Sequence, residues 1–206
     1  MANQRRFWIW ALGILIGVAL VGAAFQADAS IHQWQQAHKL RNRQELNRVI
    51  TRVTDWPVHV AVGLALAGIA WRRGKKRWAI IFLTMVAAAA VAGTAAYGLK
   101  IMVGRPRPAV KIERATTQAD SFRPNYQAFP SGHSAASAAF FGVLFFVCWR
   151  LGLALSLIPL MVGASRIFLG AHYLSDVTAG LVLGLFCAAL LSTIVLRKAA
   201  EVPAGA

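Results

Sequence analysis

The sequence predicts an all-α protein: a bundle of six transmembrane helices, with an amphipathic interfacial helix between the first and second spans. Three observations carry that expectation. Apolar residues make up 58% of the 206, against roughly 45–50% in soluble domains. They gather into runs close to the ~20 residues that cross a bilayer as a helix. The cations behind a net charge of +15 fall in the gaps between those runs, where the polar ends of spans meet headgroups.

The chain in order bears this out element by element. Phe7 to Phe25 is the first span, and Gly13, Gly17 and Gly22 within it allow close helix packing. No small-x-small cleavage site leads from it into a soluble domain, so it reads as a retained helix and not a signal peptide. Gln26 to Asp55 is polar and mixed. Leu46, Val49, Ile50 and Val53 recur there at helical spacing, which predicts a basic amphipathic helix lying in the interface, with Trp34 and Trp56 at headgroup level. His32, His38 and His59 have no ligand-like spacing and read as structural.

Pro57 to Trp71 is a short second span with Pro57 in its first turn. The basic turn Arg72 to Arg77 leads to a third span, Trp78 to Leu99, rich in small residues. Lys100 to Ser134 is a long polar loop. Ala135 to Trp149 is the fourth span and Leu151 to Ala164 the fifth, kinked at Pro159. Val177 to Leu196 is the sixth, and the tail to Ala206 is expected to be disordered. With no internal repeat and no second domain, residues 1–206 read as one integral membrane domain.

Charge sets the expected orientation. Arg5, Arg6, the Arg72 to Arg77 turn, Arg150, Arg197 and Lys198 fall on one side of a six-span chain, which the positive-inside rule makes cytoplasmic. Lys100 to Ser134 and Ser165 to Asp176 then share the opposite, outer face. A soluble nucleic-acid binder, which the charge alone would suggest, is excluded by the spans. Anionic headgroups or phosphorylated lipids are the fitting partners. Cys148 and Cys187 both lie inside apolar runs, which argues against a disulfide framework or a thiol metal site.

Three clusters at that outer face carry chemistry. The first, K-I-M-V-G-R-P-R-P from Lys100 to Pro108, offers arginine forks and a lysine point charge suited to phosphate oxygens. Snorkelling cations are the plain alternative. The second, F-P-S-G-H-S from Phe129 to Ser134, opens a helix. Pro130 and Ser131 are start signals, and Gly132 permits close backbone approach to a ligand. The unpaired amides of a helix N-terminus form an anion site, and His133 sits beside it as a proton donor. The third, S-R-I-F-L-G-A-H-Y-L-S-D from Ser165 to Asp176, holds Arg166, His172 and Asp176. His172 and Asp176 are four apart, so on a helix they share one face. A carboxylate beside an imidazole fixes its tautomer and supports charge on it, which turns a histidine into a nucleophile or base. Taken alone, each cluster also reads as caps and interfacial cations.

In order, the clusters read K-x6-R-P, P-S-G-H and S-R-x5-H-x3-D. This set resembles the type 2 phosphatidic acid phosphatase superfamily, membrane lipid phosphatases related to vanadium haloperoxidases. Lys100, Arg107 and Pro108 match its first motif. Pro130, Ser131, Gly132 and His133 match its second, and Ser165, Arg166, His172 and Asp176 its third. Arg105 is an extra cation without a family role.

The resemblance implies a six-helix core with the site at the outer membrane face. For a bacterial member that means the inner membrane, with the site toward the periplasm or outer leaflet. It implies that His172 attacks phosphorus to form a phosphohistidine, that Asp176 orients it, and that His133 protonates the leaving oxygen. Lys100, Arg107, Arg166, Ser131 and the Gly132 amide hold the phosphoryl oxygens. It implies no metal and no cofactor, and no carboxylate cluster with hard-cation spacing argues for a metal. The expected substrate is a lipid phosphate or diphosphate: phosphatidylglycerol phosphate, phosphatidic acid, undecaprenyl diphosphate or a lipid A phosphate. Phosphotransfer to another lipid through the same site stays open. So does a different class, a transporter for anions or lipids.

Overall fold

The computed structural model describes residues 2–38, 41–110 and 117–200, and the expected disorder of the tail to Ala206 lies largely outside them. The described residues form eight α-helices and no strand. These are α1 (Ala2–Ala37), α2 (Arg41–Val53), α3 (Trp56–Arg72), α4 (Lys76–Val103), α5 (Gly132–Val147), α6 (Trp149–Leu155), α7 (Leu157–Phe168) and α8 (Leu174–Ala200). Two short 3₁₀ turns, Gln118–Phe122 and Pro124–Tyr126, sit in the loop before α5.

Four helical stretches are long and apolar enough to cross a membrane: Phe7–Ala37, Lys76–Val103, Trp149–Phe168 and Leu174–Val195. A fifth arises if Gln44–Val53 and Trp56–Arg72, bent by 41° at their junction, count as one span. Gly132–Val147 is apolar but shorter. The count therefore differs from six, because Trp56–Arg72 and Gly132–Val147 each fall just short of full bilayer length.

Two other expectations are corrected. The first helix does not stop at Phe25. It runs on to Ala37, and Gly17, Ala24, Asp28 and Gln35 form its buried stripe at spacings of 7, 4 and 7. Helical packing against α8 carries the register past the point where the sequence turns polar. The break in the fifth span falls at Ser156, not at Pro159. A proline ring collides with the carbonyl four residues earlier, here that of Leu155, so the helix loosens one turn ahead of the ring. Ser156 Oγ donates to the Leu153 carbonyl at 2.6 Å across that break.

Helix α5 is the centre of the bundle. Ser134 to Phe140 are all buried, as expected of a helix apolar on every side. It packs on α8, α4, α6 and α7. Two glycines of α8 set how closely. A Cβ at Gly180 would lie 2.5 Å from the Ser131 carbonyl oxygen, and one at Gly184 2.3 Å from that of Ala135. The backbones therefore touch, which fixes the start of α5 against the start of α8. Alanines 88, 89, 92 and 96 of α4 line the other side. The site-bearing ends, those of α4 at Lys100, α5 at Gly132, α7 at Arg166 and α8 at Asp176, gather at one end of the bundle.

Candidate active site

At that end the backbone terminates four helices in a small volume. α4 closes on Gly104 in the left-handed region (φ 59°), whose N–H donates to the Lys100 carbonyl. α5 opens on Ser131, whose Oγ accepts from the Ser134 hydroxyl at 2.9 Å. Its N–H donates to the Asp176 carbonyl at 2.8 Å, tying the second cluster to the third. The Phe129–Pro130 peptide is cis. His133 occupies the first turn of α5, where amide hydrogens are left free of intrahelical bonds.

His172 is not on a helix with Asp176, contrary to the expectation from their spacing. α8 begins at Leu174, so His172 stands in the turn ahead of it. Asp176 is the third helical residue and reaches back to accept the Tyr173 N–H at 2.8 Å, the carboxylate half of a capping box. That turn still brings the partners together: His172 Nδ1 lies 3.6 Å from Asp176 Oδ2. The distance exceeds a good hydrogen bond, and Nδ1 has no hydrogen-bond partner. Both side chains are buried. Burial is the largest influence on the imidazole and pushes its pKa down to about 4, against support from Asp176. The ring is therefore neutral at pH 7. With a proton on Nδ1 toward the carboxylate, Nε2 keeps a free lone pair.

The cations converge on the same place. Lys100 is buried at 9% exposure and donates to the Gln127 carbonyl at 2.6 Å. Its Cε lies 3.7 Å from the position a Cβ on Gly132 would take. Arg107 and Arg166 each bury an Nε with no hydrogen-bond partner among the described residues. Burial lowers the proton affinity of the Arg107 guanidinium, and the Asp176 charge counters it. The charges of Lys100 and Arg166 act on both His133 and His172 and lower the proton affinity of each. Buried guanidinium N–H groups without partners are costly unless an anion meets them. Among the described residues, no group of three His, Cys, Asp or Glu side chains could hold a metal ion.

Sequence reasoning missed two features of this site. Arg105, read as surplus, bridges Asp28 Oδ2 at 2.8 Å and Asp176 Oδ1 at 2.6 Å. It also donates to Ser175 Oγ at 2.6 Å and stacks 4.3 Å from the Tyr173 ring and 4.9 Å from the Phe25 ring. Asp28 in turn accepts from Ser175 N and Oγ. The second is Asp55, whose Oδ1 lies 3.2 Å from His133 Nε2. The signal for Asp28 lay in the 7-4-7 stripe of α1. For Asp55 the sequence offers only its place before Trp56 and Pro57, a helix N-cap. His59, read as structural, is buried against Phe140 and Phe141.

Comparison with known proteins adds an independent line. A family model for the PAP2 superfamily matches residues 77–200. A lipid A 1-phosphatase from Rhizobium johnstonii is 34% identical over 122 residues, 58% of this chain and 48% of that protein. A decaprenylphosphoryl-5-phosphoribose phosphatase from Mycobacterium tuberculosis is 34% identical over 132 residues, 64% of this chain and 69% of that one. The chain thus spans about half the length of the lipid A 1-phosphatases it matches. Among solved structures, a PAP2 type phosphatidylglycerolphosphate phosphatase from Bacillus subtilis superposes with a TM-score of 0.68. It is 21% identical, and the match covers 95% of this chain and 98% of that one. LpxE from Aquifex aeolicus superposes with a TM-score of 0.63 at 19% identity, over 81% and 94% of the two chains.

Proposed function

The chain belongs to the PAP2 superfamily, and from that premise we propose that it is a membrane lipid phosphatase working through a phosphohistidine on His172. The observation that carries this is the shared cation set: the charges of Lys100 and Arg166 act on both imidazoles, and Arg107 and Arg166 each bury an Nε with no hydrogen-bond partner among the described residues. The substrate is a phosphate monoester or diphosphate on a lipid headgroup.

In the first step the Nε2 lone pair of His172 attacks phosphorus and the bond to the leaving oxygen breaks. His133 gives its proton to that oxygen. The Nδ1 proton of His172 stays toward Asp176, which stabilises the positive ring. In the second step water attacks the phosphohistidine, neutral His133 takes its proton, and inorganic phosphate departs. Lys100, Arg107, Arg166, Ser131 and the Gly132 amide stabilise charge on the equatorial oxygens, the main catalytic demand in phosphoryl transfer.

Six apolar helices then cross the bilayer, with Trp56–Arg72 and the buried Gly132–Val147 as short spans. The 16 residues of Gly132–Val147 give about 24 Å at 1.5 Å each, enough where α5 is enclosed by protein. α2 lies in the interface on its apolar Leu46, Val49 and Val53, which are exposed. The site faces the outer side of a bacterial inner membrane. A groove of about 1160 Å³ between α1 and α8, lined by Gly17, Val21, Val182 and Phe186, reaches Phe129 beside the site. It supports a substrate with a hydrocarbon tail.

The test is purified protein in detergent, assayed for phosphate release from phosphatidic acid, phosphatidylglycerol phosphate, undecaprenyl diphosphate and lipid A. At least one should turn over, and His172→Ala should not. Turnover of none, or an active His172→Ala, overturns the reading.

A further inference from the structure

Asp55 lies outside all three motifs, at the end of the polar stretch that begins at Gln26. It caps α3, with Oδ1 accepting the Trp56 N–H at 2.8 Å. The 41° bend between the Gln44–Val53 and Trp56–Arg72 helices turns at this point. α2 is held there through its packing on α7 and by a hydrogen bond of 3.2 Å between Thr51 Oγ1 and Ser165 Oγ. The bend delivers the carboxylate to His133, whose Nε2 is 3.2 Å from Oδ1. His133 therefore has a carboxylate of its own, as His172 has Asp176.

Resting on the phosphatase reading above, we propose that Asp55 is a positioning residue for the proton donor: it holds the His133 imidazole by Nε2 and stabilises the charged form from which the leaving oxygen takes its proton. The need for such a partner is electrostatic. The charged groups that face His133 are Arg166 from α7, Lys100 from α4, Arg107 from the loop after α4, and Asp55. Burial is the largest influence on His133 and, together with the three cations, pushes its pKa down to about 4; Asp55 is the carboxylate that works the other way and favours an imidazolium. With Nε2–H on Asp55, the proton transferred is the one on Nδ1. It passes to the leaving oxygen as the phosphorus–oxygen bond breaks, and the electron pair of that bond stays on the oxygen as an alcohol. His133 is left neutral, its remaining proton on Nε2 against the carboxylate. It is then set up to accept a proton from water in the second step.

A donor matters in proportion to how poor the leaving group is. An alkoxide must be protonated as it departs, whereas a p-nitrophenolate leaves without help. Asp55→Asn removes the charge and keeps a good N-cap, so α3 is retained, and Asp55→Ser is a second variant of the same kind. The experiment compares kcat/KM for phosphatidic acid and for p-nitrophenyl phosphate, each over pH 5 to 9, in wild type, Asp55→Asn, Asp55→Ser, Asp55→Glu and His133→Ala.

The expected result is a loss of 10-fold or more on phosphatidic acid in Asp55→Asn and Asp55→Ser, with p-nitrophenyl phosphate within 3-fold of wild type. The alkaline limb of the lipid profile moves down by about one pH unit, and Asp55→Glu recovers part of the rate. Equal losses on both substrates with an unmoved alkaline limb would make Asp55 a helix cap only and overturn the proposal. If His133→Ala itself shows no preference between the two leaving groups, the assignment of His133 as donor fails, which is a failure of the underlying reading and distinct from that of Asp55.

Discussion

Replacing Arg105 by alanine removes the guanidinium that bridges Asp28 and Asp176, whose side chains are 10% and 0% exposed. Both carboxylates stay buried and lose their shared counter-ion; Asp28 keeps the Ser175 N–H and hydroxyl, and Asp176 keeps the Tyr173 N–H. Breaking a buried pair by deleting one partner costs about 3–5 kcal/mol. For a chain of this size each kcal/mol moves Tm by roughly 2–4 °C, so a fall of roughly 6–20 °C is expected. Cys187 is buried and Cys148 exposed, so in a Cys148→Ser background a thiol-reactive dye in detergent reports unfolding through Cys187. Arg105→Lys should recover only part of the loss, since an ammonium lacks the fork that reaches both acids. Adding Asp28→Asn to Arg105→Ala should raise Tm again, because one uncompensated charge is gone. A drop below about 2 °C, or no recovery in the double variant, would refute the argument that charge compensation holds this corner together.

Other outcomes follow from the same geometry. The His172 pKa is about 4 when folded and 6.5 when unfolded, so between those values the unfolded chain binds the extra proton. Stability should therefore fall as pH drops from 6.5 toward 4, by up to about 3 kcal/mol. Comparing Tm at pH 7.5 and 4.5 checks this; His133 is pushed down to about 4 as well, so His172→Ala should weaken the dependence and leave the share that His133 contributes. Phosphate release should survive a chelator, since cations and helix amides supply the charge that a metal would. Loss on chelation with recovery on adding a divalent ion would count against that scheme. Gly180→Ala should push on the Ser131 carbonyl and cost about 1–3 kcal/mol, seen as a lower Tm together with a lower kcat.

Much of the site could be read from residue types at fixed spacing, because each motif sits at a helix end that its own sequence marks. Ser131 caps α5 where Pro130 and Ser131 announce a start, and the apolar runs give the helices. What could not be read was where covalent neighbours stop and packing takes over. Gln26 to Ala37 looks polar, yet it continues α1, since Asp28 and Gln35 find partners in Arg105, Ser175 and the Phe168 carbonyl. His172 and Asp176 have helical spacing, yet only Asp176 is helical: Gly170 at φ 68° turns the chain ahead of His172, and α8 begins at Leu174 with Asp176 as its cap. Arg105 sits two residues from a motif arginine yet directs its guanidinium to Asp28, Ser175 and Asp176, which spacing in an irregular loop does not encode.

Asp28 and Asp55 both belong to helices that precede residue 77, where the superfamily match begins. The signature residues thus lean on acidic groups outside the signature. A chimaera joining positions 1–76 of one relative to the remainder of another would retain every hallmark histidine and arginine, yet should turn over poorly unless the donor brought acids at matching places. The front helices thus supply carboxylates to side chains of the motif-bearing half.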